Sequence, residues 1–234
     1  MINKINGNQE NIPLLTSVLS KLMKQRFGKG PENCFISLRS GRLSIYVRNF
    51  MTPAEEVLLG FDKINLTYQL RYTVMEKVYQ EFAQEARSMM NLELDSFCSD
   101  WDYDTNTGVM LLENRKSGEN ASGAEEIDQH VRERLFEHII QICSEVHKVP
   151  RKLSLVKMDS NMFVVKCTGV MLHVENILYR KGCWDLLYDR SGEIKKSFVG
   201  RKDSFRDIFG RIVEGLFMAW DYPNERSYIF FYLK

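Results

Sequence analysis

The residue types that could do chemistry are few and scattered. Gly28-Lys29-Gly30, followed by Pro31 and Glu32, is a short loop whose amides and lysine could face an anion, as glycine-rich loops do at phosphate sites. It follows a helical pattern, however, and glycine after a helix is the ordinary C-cap at an end whose dipole favours cations. Asp100, Asp102, Asp104 and Asn106 alternate like the ligands of a calcium loop. That loop needs glycine where Thr105 stands and a late glutamate where Leu111 stands, so a solvated strand face closed by an Asx turn is the simpler reading. Cys143 and His147 lie one helical turn apart with no placed third partner, which reads as a core thiol and a helix-end histidine. Arg71 and Arg190 are each expected to pair with a glutamate, Glu56 and Glu175 respectively, or to face a partner.

What is missing narrows the chemistry further. The four histidines, His130, His138, His147 and His173, show no metal-ligand spacing, so neither metal nor cofactor is expected. Five cysteines without a C-x-x-C pair argue against a disulfide framework and for a reducing compartment. Thirty-two basic against 31 acidic residues leave a net charge of +1, too little field to hold nucleic acid. No apolar run approaches the roughly 18 residues of a membrane-spanning helix. A soluble, cytoplasmic protein without direct membrane insertion is expected. No nucleophile, base and orienter can be assembled from these spacings, so the chain is expected not to be an enzyme.

The elements that must position these residues come twice. Trp101-Asp102-Tyr103 returns as Trp220-Asp221-Tyr222, 119 residues later, and Pro31 returns as Pro150 at the same interval. Each occurrence closes a pattern of helix, hairpin, short helix, long helix and hairpin. In the first copy Leu15, Val18, Leu19, Leu22, Met23 and Phe27 make one helical face behind Asn11 as cap and Pro13. Cys34/Ile36/Leu38 and Leu43/Ile45/Val47 alternate around a turn at Ser40-Gly41, a hairpin with one buried face. Thr52-Pro53-Ala54-Glu55 is a capping box. Ile64, Tyr68, Arg71, Met75, Val78, Phe82, Ala86 and Met89 keep the helical period over residues 63–90. Residues 94–103 and 109–112 form the closing hairpin. In the second copy residues 184–213 are helical but interrupted by Gly192 and Gly200.

The fold class expected is therefore α+β, with a first module at 1–113, a polar linker at 114–127 and a divergent second module at 128–234. Each module should carry a four-stranded antiparallel sheet with helices on one face. Two fused, self-complementary modules are expected to behave as a monomer with an internal pseudo-twofold.

The loop Phe27 to Glu32, the hairpin after it, the Thr52 to Glu55 box, Arg71 and the closing hairpin resemble the bacterial MpsC-like family over residues 12–113. The second copy keeps only Lys148 and Pro150 of the loop and has Met171-Leu172-His173-Val174 in place of the box. The resemblance implies a small soluble companion of a membrane system that moves sodium or inorganic carbon, with a membrane protein as partner and no catalytic residue. The alternative is a sensor of a small anion or nucleotide at Gly28, Lys29, Gly30 and Glu32, with Arg71 nearby.

Overall fold

The structure, a computed structural model, describes residues 10–114 and 127–234. The expected linker, apart from its two ends, and the lead-in before residue 10 lie outside the described residues. The described chain separates into two compact units.

The first unit runs α1 (Ile12–Phe27), β1 (Asn33–Arg39), β2 (Arg42–Arg48), α2 (Pro53–Gly60), α3 (Ile64–Met90), β3 (Ser96–Asp102) and β4 (Thr107–Glu113). In α1, Leu15, Leu19 and Met23 recur every four residues and are buried, and the helix ends at Gly28 with φ +76°. That left-handed angle is cheap for glycine and strained for a residue with a Cβ. Asn11 stands at the N-cap without capping; its side-chain amide reaches instead for the Met89 carbonyl at 3.5 Å. Ser40 and Gly41 both take positive φ, +50° and +72°, as the two central residues of a tight hairpin turn. The box forms as written: Glu55 Oε2 accepts the Thr52 amide at 2.9 Å and Thr52 Oγ1 accepts the Glu55 amide at 3.4 Å. In α3 the buried stripe is Thr67, Arg71, Met75, Val78, Phe82, Ala86 and Met90. Of the residues expected on that stripe, Ile64 is exposed and Tyr68 and Met89 are half-buried; at the C-terminal end the stripe steps four residues from Ala86 to Met90, so Met89 falls to its side.

The strands are antiparallel in the order β1-β2-β4-β3. Leu43, Ile45, Val47, Met110 and Leu112 meet Leu15, Leu19, Met23, Met75, Val78 and Phe82 in one core. The β1–β2 hairpin departs from expectation in one respect: β2 is buried on both faces, Ser44 and Tyr46 included. The reason is cross-strand contact on the second face. Tyr46 lies beside Phe35 with Arg48 over its ring, and Arg42 donates to Glu113 at 2.9 Å across the β2–β4 pair.

The second unit runs α4 (Gln129–Val146), β5 (Lys152–Lys157), β6 (Met162–Thr168), α5 (His173–Arg180), α6 (Trp184–Val199), α7 (Lys202–Phe209), β7 (Val213–Asp221) and β8 (Arg226–Leu233). Its sheet order, β5-β6-β8-β7, repeats that of the first. Where the first module has one long helix, the second has α6 and α7. The break falls at Gly200 alone, and α6 runs straight through Gly192. A helical glycine costs about 1 kcal/mol, and the buried Leu187, Ile194 and Phe198 on either side of Gly192 hold the helix against that cost.

The repeat interval is not constant. The β5–β6 hairpin is one residue longer than the β1–β2 hairpin, so β6 and the connector after it lie 120 residues from their counterparts. The helix break then removes a residue, and the closing hairpin returns to 119. Left-handed residues mark both registers: Asn49 and Gly169 are 120 apart, Asn106 and Glu225 are 119 apart. Glu175 therefore answers to Glu55 and not to Glu56, which the constant 119-residue interval would have matched with it.

Two stability effects follow. Thr52→Ala should lower stability by about 1 kcal/mol through loss of the cap. Leu172→Thr, which restores the missing half of the second box, should raise it by about 0.5–1 kcal/mol. Urea unfolding of the two single variants checks both signs. The C-terminal strand β8 lies between β6 and β7 and ends with Leu233 buried, so deleting its last residues should be damaging.

Candidate functional site

The sequence motifs of the first module converge on one short segment, the connector 49–52 between β2 and α2. Lys29 comes from the loop after α1, and its ammonium donates to the Met51 carbonyl at 3.0 Å. Glu32 accepts from the Asn49 side chain at 2.6 Å. Asn106, from the β3–β4 turn, accepts the Met51 amide at 2.9 Å through its side chain, and its carbonyl accepts the Asn49 amide at 2.8 Å. Gly30 packs so closely on α1 that a Cβ would stand 3.0 Å from the Ser20 carbonyl oxygen.

Arg71 closes the connector from the inside. It comes from the second turn of α3 and is fully buried, as is Glu55. Nε donates to Glu55 Oε1 at 2.6 Å, and Nη2 donates to Glu55 Oε2 at 2.5 Å and to the Phe50 carbonyl at 3.4 Å. The guanidinium carbon lies 4.5 Å from the Phe27 ring centre, 4.2 Å from that of Phe50 and 4.6 Å from that of Trp101. Three aromatic faces around a cation replace part of the water it has lost. Tyr103 adds a hydroxyl donor to Glu55 Oε1 at 3.2 Å.

The partner of Arg71 is thus Glu55, and the expected pairing with Glu56 is corrected. As third residue of the helix, Glu55 turns back toward its cap and the core, whereas Glu56 points to solvent. Burial pushes the Glu55 carboxyl up, but the bonds from Arg71 and Thr52 outweigh it and hold the group below its ordinary value. Burial also pushes the Tyr103 hydroxyl up, so it remains a donor to that carboxylate.

The second module rebuilds this clasp with different parts. Lys148 donates to the Met171 carbonyl at 2.7 Å, the same bond that Lys29 makes. Glu175 accepts the Leu172 amide at 2.7 Å, so half of the capping box survives where a leucine offers no acceptor for the other half. Arg190 pairs with Glu175, as expected, and its guanidinium carbon lies 3.8 Å over the Trp220 ring. With α6 in the 120-residue register, Arg190 stands one position before the slot that Arg71 fills, and its side chain stays 19% exposed. His147 supplies the missing contact. It closes α4 as read from sequence, but its Nε2 also lies 2.8 Å from both Glu175 Oε1 and Arg190 Nη2. One nitrogen can donate to the carboxylate or accept from the guanidinium, not both at once. Tyr222, answering to Tyr103, has its hydroxyl pushed up to about 12 by burial.

Elsewhere the expected ligands are used by the fold. Asp102 Oδ1 accepts the amides of Asp104 and Thr105, both at 3.0 Å, which is the Asx turn. Among the described residues, no group of His, Cys, Asp and Glu side chains could hold a metal ion. Burial pushes the thiols of Cys34 and Cys143 up to about 12 and 11, which leaves them un-ionised and weakly nucleophilic. Sequence reading missed Glu55 and His147 as members of the clasp. Glu55 was legible from the capping box itself, whose glutamate must turn inward; nothing in the sequence marks His147.

The fold is a mixed α+β one in which two modules share a strand order and a glutamate–arginine clasp at the β-to-α connector. Residues 14–113, which span the first module from the first turn of α1 to the end of β4, match the family model described as Na+-translocating membrane potential-generating system (MpsC). No curated protein and no solved structure matches the chain. Among the described residues, no helix is long and apolar enough to cross a membrane.

Proposed function

We propose that this protein is a non-enzymatic accessory or regulatory component, working in the cytoplasm, of a membrane system that translocates sodium or inorganic carbon. The reading is supported by the family match over the whole of the first module. It is consistent with a site whose polar side chains hold the protein's own connector. The alternative, an anion sensor at Gly28 to Glu32, is disfavoured because Lys29 and Glu32 are already bonded to Met51 and Asn49. An anion would have to displace both bonds.

Deleting the gene should lower the sodium-dependent membrane potential read by a voltage-sensitive dye, and re-expression of the full chain should restore it. An unchanged potential, with sodium and bicarbonate uptake also unchanged, would remove the reading.

A further inference from the structure

The second clasp differs from the first in holding an imidazole ring. His147 stands 119 residues after Gly28, at the end of the corresponding helix, so the first module has no side chain in that place. The ring is enclosed: the side chains of His147 and Glu175 are 6% and 4% exposed, and that of Arg190 is 19% exposed. Nε2 lies 2.8 Å from Glu175 Oε1 on α5 and 2.8 Å from Arg190 Nη2 on α6. These contacts require opposite states of one atom. Without a proton Nε2 accepts from the guanidinium, and with one it donates to the carboxylate.

The groups that face the ring come from four elements. Burial pushes the Glu175 carboxyl on α5 up, but the bonds from His147 and Leu172 outweigh it and hold the group below its ordinary 4.5. Burial pushes the Tyr222 hydroxyl up to about 12 and the thiol of Cys143, one turn back on α4, up to about 11, so both stay neutral. Lys148 donates to the Met171 carbonyl, and Asp221 and Glu225 at the β7–β8 turn accept from the side chains of Asn224 and Asn176. Imidazole is the side chain whose charge ordinarily changes between about pH 5 and 8. Adding its proton takes Glu175 and Arg190 from balance to an excess of one positive charge in an enclosed space, which is costly. Arg190, the most exposed of the three, is the member that can carry its charge to water. Helix α6 is weakly held just beyond it, at Gly192, where an added Cβ would meet nothing within 4 Å.

We propose that the second clasp is a proton-operated switch. With His147 neutral, Nε2 accepts from Arg190 Nη2 and the ring ties α4 to α6. When a solvent proton binds Nε2, the new N–H donates to Glu175 Oε1, Arg190 is released and the second turn of α6 loosens. One proton is taken up and no electron moves. The switch stands on these three side chains and not on the accessory reading, which its failure would leave untouched.

Two measurements on the full chain test it. In nitrogen NMR, with His147→Gln to assign the resonance, His147 Nε2 should carry no proton at about pH 8 and carry one at about pH 5. Amide hydrogen exchange, corrected for its intrinsic pH dependence, should show α6 losing protection about fivefold or more over that interval. The amides of α3 should change by less than about twofold, since the first clasp has glycine where the second has histidine. His147→Gln keeps a donor and an acceptor but does not titrate, so it should abolish the loss in α6. In Arg190→Gln a protonated ring is balanced by Glu175, and α6 should not loosen in acid. Circular dichroism checks the fold of both variants; should either fail to fold, the contrast between α6 and α3 in the parent still decides. Nε2 protonated at both pH values, unchanged protection of α6, an equal loss in α3, or a loss that persists in His147→Gln would each overturn the proposal.

Discussion

Replacing Arg71 by methionine is expected to destabilise the first module by about 3–5 kcal/mol, because it strands the buried Glu55 carboxylate without its cation. Glu55→Gln should be costly for the converse reason. The double variant Arg71→Met/Glu55→Gln should recover much of the loss, since a buried pair contributes far less net stability than its broken half removes. Hydrogen exchange in the full chain reads the first module separately, through the amides of α3 and β4. A loss below about 1 kcal/mol for Arg71→Met would show that the pair is not buried as described.

The same pair carries a pH dependence whose sign is fixed. Glu55 has its carboxyl lowered from the ordinary 4.5, so its contribution is fully present above that value. It is lost as pH falls below 4.5 and through the folded value. Glu175 is lowered too, with burial again opposing and the bonds from His147 and Leu172 prevailing, so the second module should weaken in the same acid direction. Glu55→Gln should flatten the acid limb for the first module only.

Trp101→Ala should cost about 3–5 kcal/mol, the usual range for emptying a large buried aromatic site. The ring is only 4% exposed, meets Phe50 edge-on at 4.8 Å and forms one wall of the Arg71 cage. It also lies across Gly108, its partner in the β3–β4 register, where an added Cβ would come within 2.2 Å of the ring. Gly108→Ala should therefore cost about 1–3 kcal/mol by overpacking in the parent. In the background of Trp101→Ala the same change should cost almost nothing, and that coupling is the decisive measurement. In the second module Ser227 faces Trp220 in the same register, so that position there carries a Cβ.

The sequence by itself determined whatever is decided among near neighbours. The tight turn at Ser40-Gly41, the Asx turn at Asp102, the capping box at Thr52 and the glycine stop at Gly28 each depend on residues within about four positions, and each formed as read. The helical period of α3 and the repeated closing hairpin were legible for the same reason, since a regular element imposes its spacing directly on its residues.

Only the tertiary structure decided which groups those elements bring together. Arg71 chose Glu55 over Glu56 because one residue along a helix is a turn of about 100°, enough to send one carboxylate inward and its neighbour to water. One extra residue in a hairpin moved the second module's connector to a 120-residue register and set Arg190 beside the slot of Arg71. That offset left an edge of the second clasp for His147, a residue 28 positions from Glu175 and 43 from Arg190. No local pattern encodes a contact over such a separation; it exists because the packing of three elements fixes the space the side chain must fill.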